Sequence, residues 1–315
     1  MMKHPPYLQK GNTIAITCPA GYMPKEKAQT CITVLQQWGY EVLVGKTLGS
    51  RSKTYFSGTD EERLNEFQAM LDAPEVKAIL CGRGGYGVGR IIDQLDFTAF
   101  KKNPKWIIGF SDITIFHAHI NRNFKIATLH SSMASAFNDG GHKNKYVQSI
   151  KAALEGKKAN YSCKTHRLNH TGKTTAELVG GNLALITHLI GTKSDYQTKG
   201  KILFLEDVGE QHYNIDRMMH QLKRSGKLTQ LAGLIIGGFT DMQDTERPFG
   251  KKVYDLIHEL IQEYTYPVCF GFPVSHDKEN LALKVGASYQ LTVSKQTVLL
   301  KEQSFNSDQE KACRI

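Results

Sequence analysis

The sequence predicts an α/β fold: an N-terminal domain built on a parallel sheet and a second, C-terminal α/β domain. Three observations carry this reading. Short apolar, β-branched runs alternate with segments of roughly 10–15 residues at helical spacing, the signature of βαβ units. A polar stretch at 157–175, rich in Lys, Thr, Asn and His, interrupts that rhythm. The chain has 315 residues and 40% hydrophobic content, enough to bury one large core or two modest ones. The expected division is therefore 1–160 for the first domain, 161–175 for a linker and 176–315 for the second.

In chain order, the run at 13–18 reads as a strand that ends at Pro19-Ala20-Gly21, and 25–38 as a helix stopped by Gly39. A strand at 41–44, a helix at 60–71 and a strand at 76–81 follow. That last strand runs into Gly82-Arg83-Gly84-Gly85-Tyr86-Gly87. Next come a helix at 88–95, a strand at 106–110 and a helix that begins just after Ser111. In the second half, Gly180-Gly181-Asn182 opens a helix to about residue 190, and strands are expected at 202–205, 233–236, 268–270 and 289–293. Helices at 214–223 and 252–263 complete the alternation. No internal repeat is visible, and the polar tail from Gln303 is expected to fray.

Composition narrows the function classes. The ordinary charged fraction of 22% excludes disordered, collagen-like and disulfide-scaffold chains. Six cysteines (Cys18, Cys31, Cys81, Cys163, Cys269 and Cys313) lack C-x-x-C spacing, so neither a zinc site nor a disulfide framework is indicated. The net charge of +10 suits an anionic small substrate. The lysines occur singly or in pairs without interleaved aromatics, which disfavours nucleic acid as a partner. No segment reads as a signal peptide or a membrane span, so a cytoplasmic location is expected.

Several motifs can carry chemistry. Gly82-x-Gly84-x-x-Gly87 lies between a strand and a helix, as a dinucleotide-binding loop does, but it follows at least two earlier strands and lacks an acid some twenty residues on. The competing readings are a loop that turns backbone N–H groups toward a developing oxyanion and a tight turn with no chemistry. Gly109-Phe110-Ser111-Asp112-Ile113 places a serine where a strand meets a helix, either as an exposed nucleophile or as an N-cap. Ile113 replaces the last glycine of G-x-S-x-G, which disfavours an ordinary α/β-hydrolase.

A serine nucleophile needs a base and an orienting acid. The strand at 202–205 ends in Glu206-Asp207, whose side chains should point to opposite faces, and Glu210 follows. His276 stands on a loop just after a strand, in Phe272-Pro273-Val274-Ser275-His276. His117 and His119, two apart on a helix, face different directions and cannot share a metal as an i, i+4 pair would.

Taken in order, these motifs resemble the LD-carboxypeptidases of serine peptidase family S66, the muramoyltetrapeptide carboxypeptidases, with the microcin C self-immunity proteins as a related branch. The resemblance rests on Ala20-Gly21, Gly82 to Gly87, Gly109-Phe110-Ser111-Asp112, Gly180-Gly181-Asn182-Leu183, Leu205-Glu206-Asp207, Ile215-Asp216-Arg217 and Gly271 to His276, and spans nearly the whole chain. It implies an active site between the two domains, with Ser111 as nucleophile, Glu206 as orienting acid and His276 as general base. Asp207 and Glu210 are the fallback acids. The resemblance further implies an oxyanion hole from the N–H groups of Asp112 and Gly85, and release of terminal D-alanine from murein tetrapeptides by a homodimer without metal or organic cofactor. Arg83 and Arg217 are candidates for holding a substrate carboxylate, with structural ion pairing as the competing role. The rival branch cleaves acyl or peptidyl adenylates and needs an aromatic to stack the base. Residues 191–201 offer only Tyr196, which favours the murein reading.

Overall fold

The computed structural model describes residues 2–304. Its strands are β1 (Thr13–Thr17), β2 (Glu41–Val44), β3 (Val76–Cys81), β4 (Trp106–Gly109), β5 (Thr128–His130), β6 (Asn160–Lys164), β7 (Gly172–Asn182), β8 (Ile202–Val208), β9 (Gly233–Thr240), β10 (Val268–Phe270), β11 (Leu283–Val285), β12 (Ser288–Val293) and β13 (Thr297–Glu302). The helices are α1 (Gln29–Gln37), α2 (Asp60–Asp72), α3 (Val88–Ile91), α4 (Thr98–Lys102), α5 (Thr114–Phe124), α6 (Lys145–Leu154), α7 (Leu183–His188), α8 (His212–Arg224) and α9 (Val253–Ile261).

The first sheet has the order β11-β5-β4-β3-β1-β2 and is parallel from β2 to β5, as expected. Its edge strand β11 is antiparallel and comes from the C-terminal half. The second sheet, β10-β9-β8-β7-β12-β13-β6, is parallel from β10 to β7 and antiparallel beyond. Segment 161–175, expected as a linker, holds most of β6 and the first residues of β7. Their solvent-facing Lys, Thr and Asn residues hid the strand pattern, because alternate positions are exposed. The tail expected to fray lies outside the described residues beyond 304, and Gln303 itself donates its N–H to Ser288 O at 2.8 Å.

Period-two alternation puts the two faces of the first sheet into separate cores. Ile14, Ile16, Leu80, Trp106 and Ile108 face α1 and α6. Ala15, Ile79 and Ile107 face the other way, toward α2 and α5, in a core that continues into Leu178, Leu183 and Phe204 of the second half. Phe67 of α2 stacks on Phe116 of α5 with ring centroids 4.3 Å apart. Each such buried ring contributes about 1.5–3 kcal/mol. Helix α2 starts at a capping box: Thr59 Oγ1 accepts from Glu62 N while the Glu62 carboxylate accepts from Thr59 N.

The two halves meet without a spacer. Gly181 stands where a Cβ would lie 2.5 Å from Thr114 Oγ1, and Asn182 N donates to that same hydroxyl at 3.1 Å. The C-terminal end of β7 is thereby packed against the start of α5, close in sequence to Ser111. Among the described residues no helix is long and apolar enough to cross a membrane.

Candidate active site

Ser111 follows β4 on a sharp turn. Its φ is +62°, a left-handed conformation that costs a non-glycine residue about 1–3 kcal/mol and is characteristic of strained functional turns. The N-cap reading does not hold, since neither the 3₁₀ turn from Ser111 nor α5 after it begins with a side-chain cap. The carbonyl of Gly109 anchors the turn, accepting from His117 Nε2 at 2.9 Å and from Ser131 N at 3.1 Å. A carbonyl only accepts, so Nε2 carries the proton, and Nδ1 accepts from the Thr128 hydroxyl at 2.8 Å. Burial lowers the His117 pKa to about 4, so this imidazole is neutral near pH 7.

The glycine loop lies directly on this turn. A Cβ at Gly84 would sit 2.9 Å from Ser111 Cβ and 3.3 Å from Asp112 N. Gly85 adopts φ +94° and passes close to the Tyr55 hydroxyl. Asp112 is fully buried and its Oδ2 accepts from Val88 N at 2.8 Å, which ties the turn to the start of α3. Burial raises the Asp112 pKa to about 6, against the lowering effect of that backbone bond and of Arg63.

The second half supplies the acid–base pair. Strand β8 carries Glu206 fully buried, and its Oε2 lies 2.6 Å from His276 Nδ1. Burial opposes a charged His276, but the hydrogen bond and charge of Glu206, with the charge of Asp207, outweigh it and hold the pKa above 6.5. Two glycines of β9 make the approach possible. Gly237 and Gly238 stand where a Cβ would lie 2.2 Å from Val274 O and 2.4 Å from Ser275 Cβ, so the 272–276 loop rests on bare backbone.

Phe110 links the two groups, because it precedes Ser111 and its ring centroid is 4.7 Å from that of His276. Among the described residues no hydrogen bond joins Ser111 to His276, a looseness common before substrate closes a site. Phe110 and His276 line a cavity of about 480 Å³ with Met133, Asn138 and Lys278.

The other sequence candidates have defined places. Asp207 turns away from His276: Oδ1 accepts from Asn182 Nδ2 at 2.7 Å and Oδ2 from Ala184 N at 2.9 Å, at the start of α7. Glu210 Oε2 accepts from Asn214 Nδ2 at 2.9 Å. Arg83 donates to Tyr22 O at 2.9 Å, beside the glycine loop. Arg217 stays on its own helix, donating to Asn214 Oδ1 at 2.8 Å with its guanidinium over the Tyr213 ring. His119 Nδ1 contacts Ser194 Oγ at 2.9 Å, away from His117 as expected. Sequence reasoning missed the anchoring roles of His117 and Thr114 and the part played by the Gly237-Gly238 pair; only the glycine doublet after an apolar run carried a readable signal.

Comparison with known proteins bears on this geometry. Residues 14–131 match the LD-carboxypeptidase N-terminal domain of peptidase family S66, and residues 175–291 match its C-terminal domain. The chain belongs to the LD-carboxypeptidase family. As an LD-carboxypeptidase family member it falls among the peptidases, and its relatives span its length. It is 34% identical to a probable murein peptide carboxypeptidase of Bacillus subtilis, over 94% of each chain. The crystal structure of muramoyltetrapeptide carboxypeptidase from Oxalobacter formigenes superposes with a TM-score of 0.84 at 28% identity, covering 93% of this chain and 99% of that one. The microcin C7 self-immunity protein MccF of Escherichia coli is 25% identical over 96% of each chain.

Proposed function

We propose that this LD-carboxypeptidase family member is a serine-type enzyme that releases the terminal D-alanine of murein tetrapeptides. The observation that carries the reading is the 2.6 Å contact between buried Glu206 and His276, linked through Phe110 to the strained Ser111 turn. Glu206 orients the imidazole and favours its charged form, as a general base requires when it takes a proton. His276 removes the Ser111 proton as Oγ attacks the carbonyl before D-alanine. The N–H groups of Asp112 and Gly85 stabilise the oxyanion. The proton held on His276 then passes to the departing amine, and D-alanine leaves. A water molecule, deprotonated by His276, hydrolyses the acyl-serine.

Side chains and backbone N–H groups supply each of these steps, so the reaction as proposed needs no metal. Arg83, on the same loop as Gly84 and Gly85, and Arg217 are the candidates for the substrate's terminal carboxylate. The same reading carries a cytoplasmic site of action and a homodimer. The domain division proposed with it keeps the nucleophile in 1–160 and the acid and base in 176–315.

The adenylate reading is less favoured. Tyr196, the aromatic of the 191–201 stretch, is 2% exposed with its hydroxyl 3.3 Å from Gly180 O, so it offers no face to a nucleobase. Mass spectrometry of purified protein incubated with a murein tetrapeptide, and separately with an aminoacyl adenylate, tests the choice. Loss of one D-alanine from the tetrapeptide is expected. Cleavage of the adenylate alone would overturn the murein assignment in favour of the immunity-type activity.

A further inference from the structure

Arg63 lies in Asp60-Glu61-Glu62-Arg63, a composition that reads as the solvated first turn of a helix, yet its side chain is fully buried. Removing a guanidinium from water costs several kcal/mol unless its donors are satisfied, so its partners define its use. Nη2 pairs with the Asp60 carboxylate. Nη1 donates to Pro19 O at 2.5 Å and to Gly87 O at 3.1 Å, and the guanidinium lies over the Phe56 ring at 5.0 Å.

Pro19 and Gly87 belong to different loops, one following β1 and one following β3. The loops are joined again by Gly21 N donating to Gly84 O at 3.0 Å, and Gly84 is the residue that rests on Ser111. Gly87 adopts φ +152°, and a Cβ there would lie 2.8 Å from Arg63 Nη1 and 2.9 Å from Ala20 Cα. The last glycine of the motif is thus the space into which the guanidinium fits.

We propose that Arg63 is a positioning residue for the reaction: with Nη2 held by Asp60, its Nη1 clamps the Pro19 and Gly87 carbonyls and thereby holds the glycine loop, with the Gly85 N–H, in place beside Ser111. This rests on the reading of Ser111 as nucleophile. Lysine cannot replace it, because a single ammonium does not offer the fixed fork that spans two carbonyls and a carboxylate.

The test compares wild type, Arg63→Ala and Arg63→Lys by D-alanine release from murein tetrapeptide and by the rate at which a fluorophosphonate labels Ser111, with Ser111→Ala as the labelling control. Circular dichroism and thermal melting report folding. Both Arg63 variants are expected to lose about 10²-fold in kcat and in labelling rate, the scale of a lost oxyanion donor, with KM within about threefold. Guanidinium at millimolar concentration should restore Arg63→Ala by about tenfold or more, while urea at the same concentration should not.

Should the alanine variant fail to fold, the lysine variant decides. Folded Arg63→Lys with wild-type kcat and labelling would overturn the proposal, as would folded Arg63→Ala with a loss that guanidinium leaves unchanged. Labelled wild type that releases no D-alanine would remove the murein reading yet leave the Arg63 comparison intact. Wild type that neither labels nor turns over would overturn both, since no serine centre would exist for Arg63 to position.

Discussion

Glu206 and Asp207 follow one another on β8, and the two-residue period of a strand sends their carboxylates to opposite faces. One meets His276 at 2.6 Å and the other accepts an N–H group at the start of α7. That division was legible in the sequence; which of the two belonged with the histidine came from the resemblance. Since Glu206 holds the His276 pKa above 6.5, the base is protonated at low pH, and kcat/KM should rise with pH through a midpoint above 6.5. Glu206→Gln removes the larger raising influence and leaves burial opposed only by the smaller Asp207 charge, so the midpoint should move down while kcat falls at least ~10²-fold. A pH–rate profile checks both, and an unmoved midpoint would shift the orienting role to Asp207 or Glu210. Arg63 and His117 were not legible as anchors. An arginine among acids and a histidine on an amphipathic helix carry the same letters whether they face water or hold a loop.

Among the elements, the strands with continuous apolar runs were readable and the half-exposed ones were not. β4 is buried at every residue, and the sequence places it to within one residue. β6 reads Asn-Tyr-Ser-Cys-Lys with alternate residues exposed, and β11 reads Leu-Lys-Val. The Lys284 side chain of β11 is 1% exposed and pairs at 2.9 Å with Glu302 of β13, which is equally buried, so a charge that argues against a strand is satisfied across the two sheets. The glycines of β9 lead to a second expectation. In Gly238→Ala the new Cβ would meet Ser275 Cβ at 2.4 Å, and the loop bearing His276 must lift. Loss of about 1–3 kcal/mol of stability and a larger proportional loss of kcat are expected, measured by thermal melting and steady-state kinetics. Wild-type kcat in a destabilised protein would mean that the loop finds its place without that backbone contact.

The whole molecule brings together groups far apart in the chain. β4 delivers Ser111 from the first sheet, β8 and the loop after β10 deliver Glu206 and His276 from the second, and the Gly181–Thr114 contact packs the halves together. The two-part α/β architecture was legible from strand and helix alternation, because central parallel strands are apolar throughout. The loss of a free linker and the exchange of β11 into the first sheet were not, since polar, half-exposed strands give no periodic signal. If the meeting of the halves makes Ser111 a nucleophile, removing its hydroxyl must stop the reaction. The decisive measurement is D-alanine release from murein tetrapeptide, scored by mass spectrometry for wild type and folded Ser111→Ala side by side. Release by wild type and a loss of at least ~10⁴-fold in the variant are expected. Near-wild-type release by Ser111→Ala would contradict the assignment of Ser111 as nucleophile.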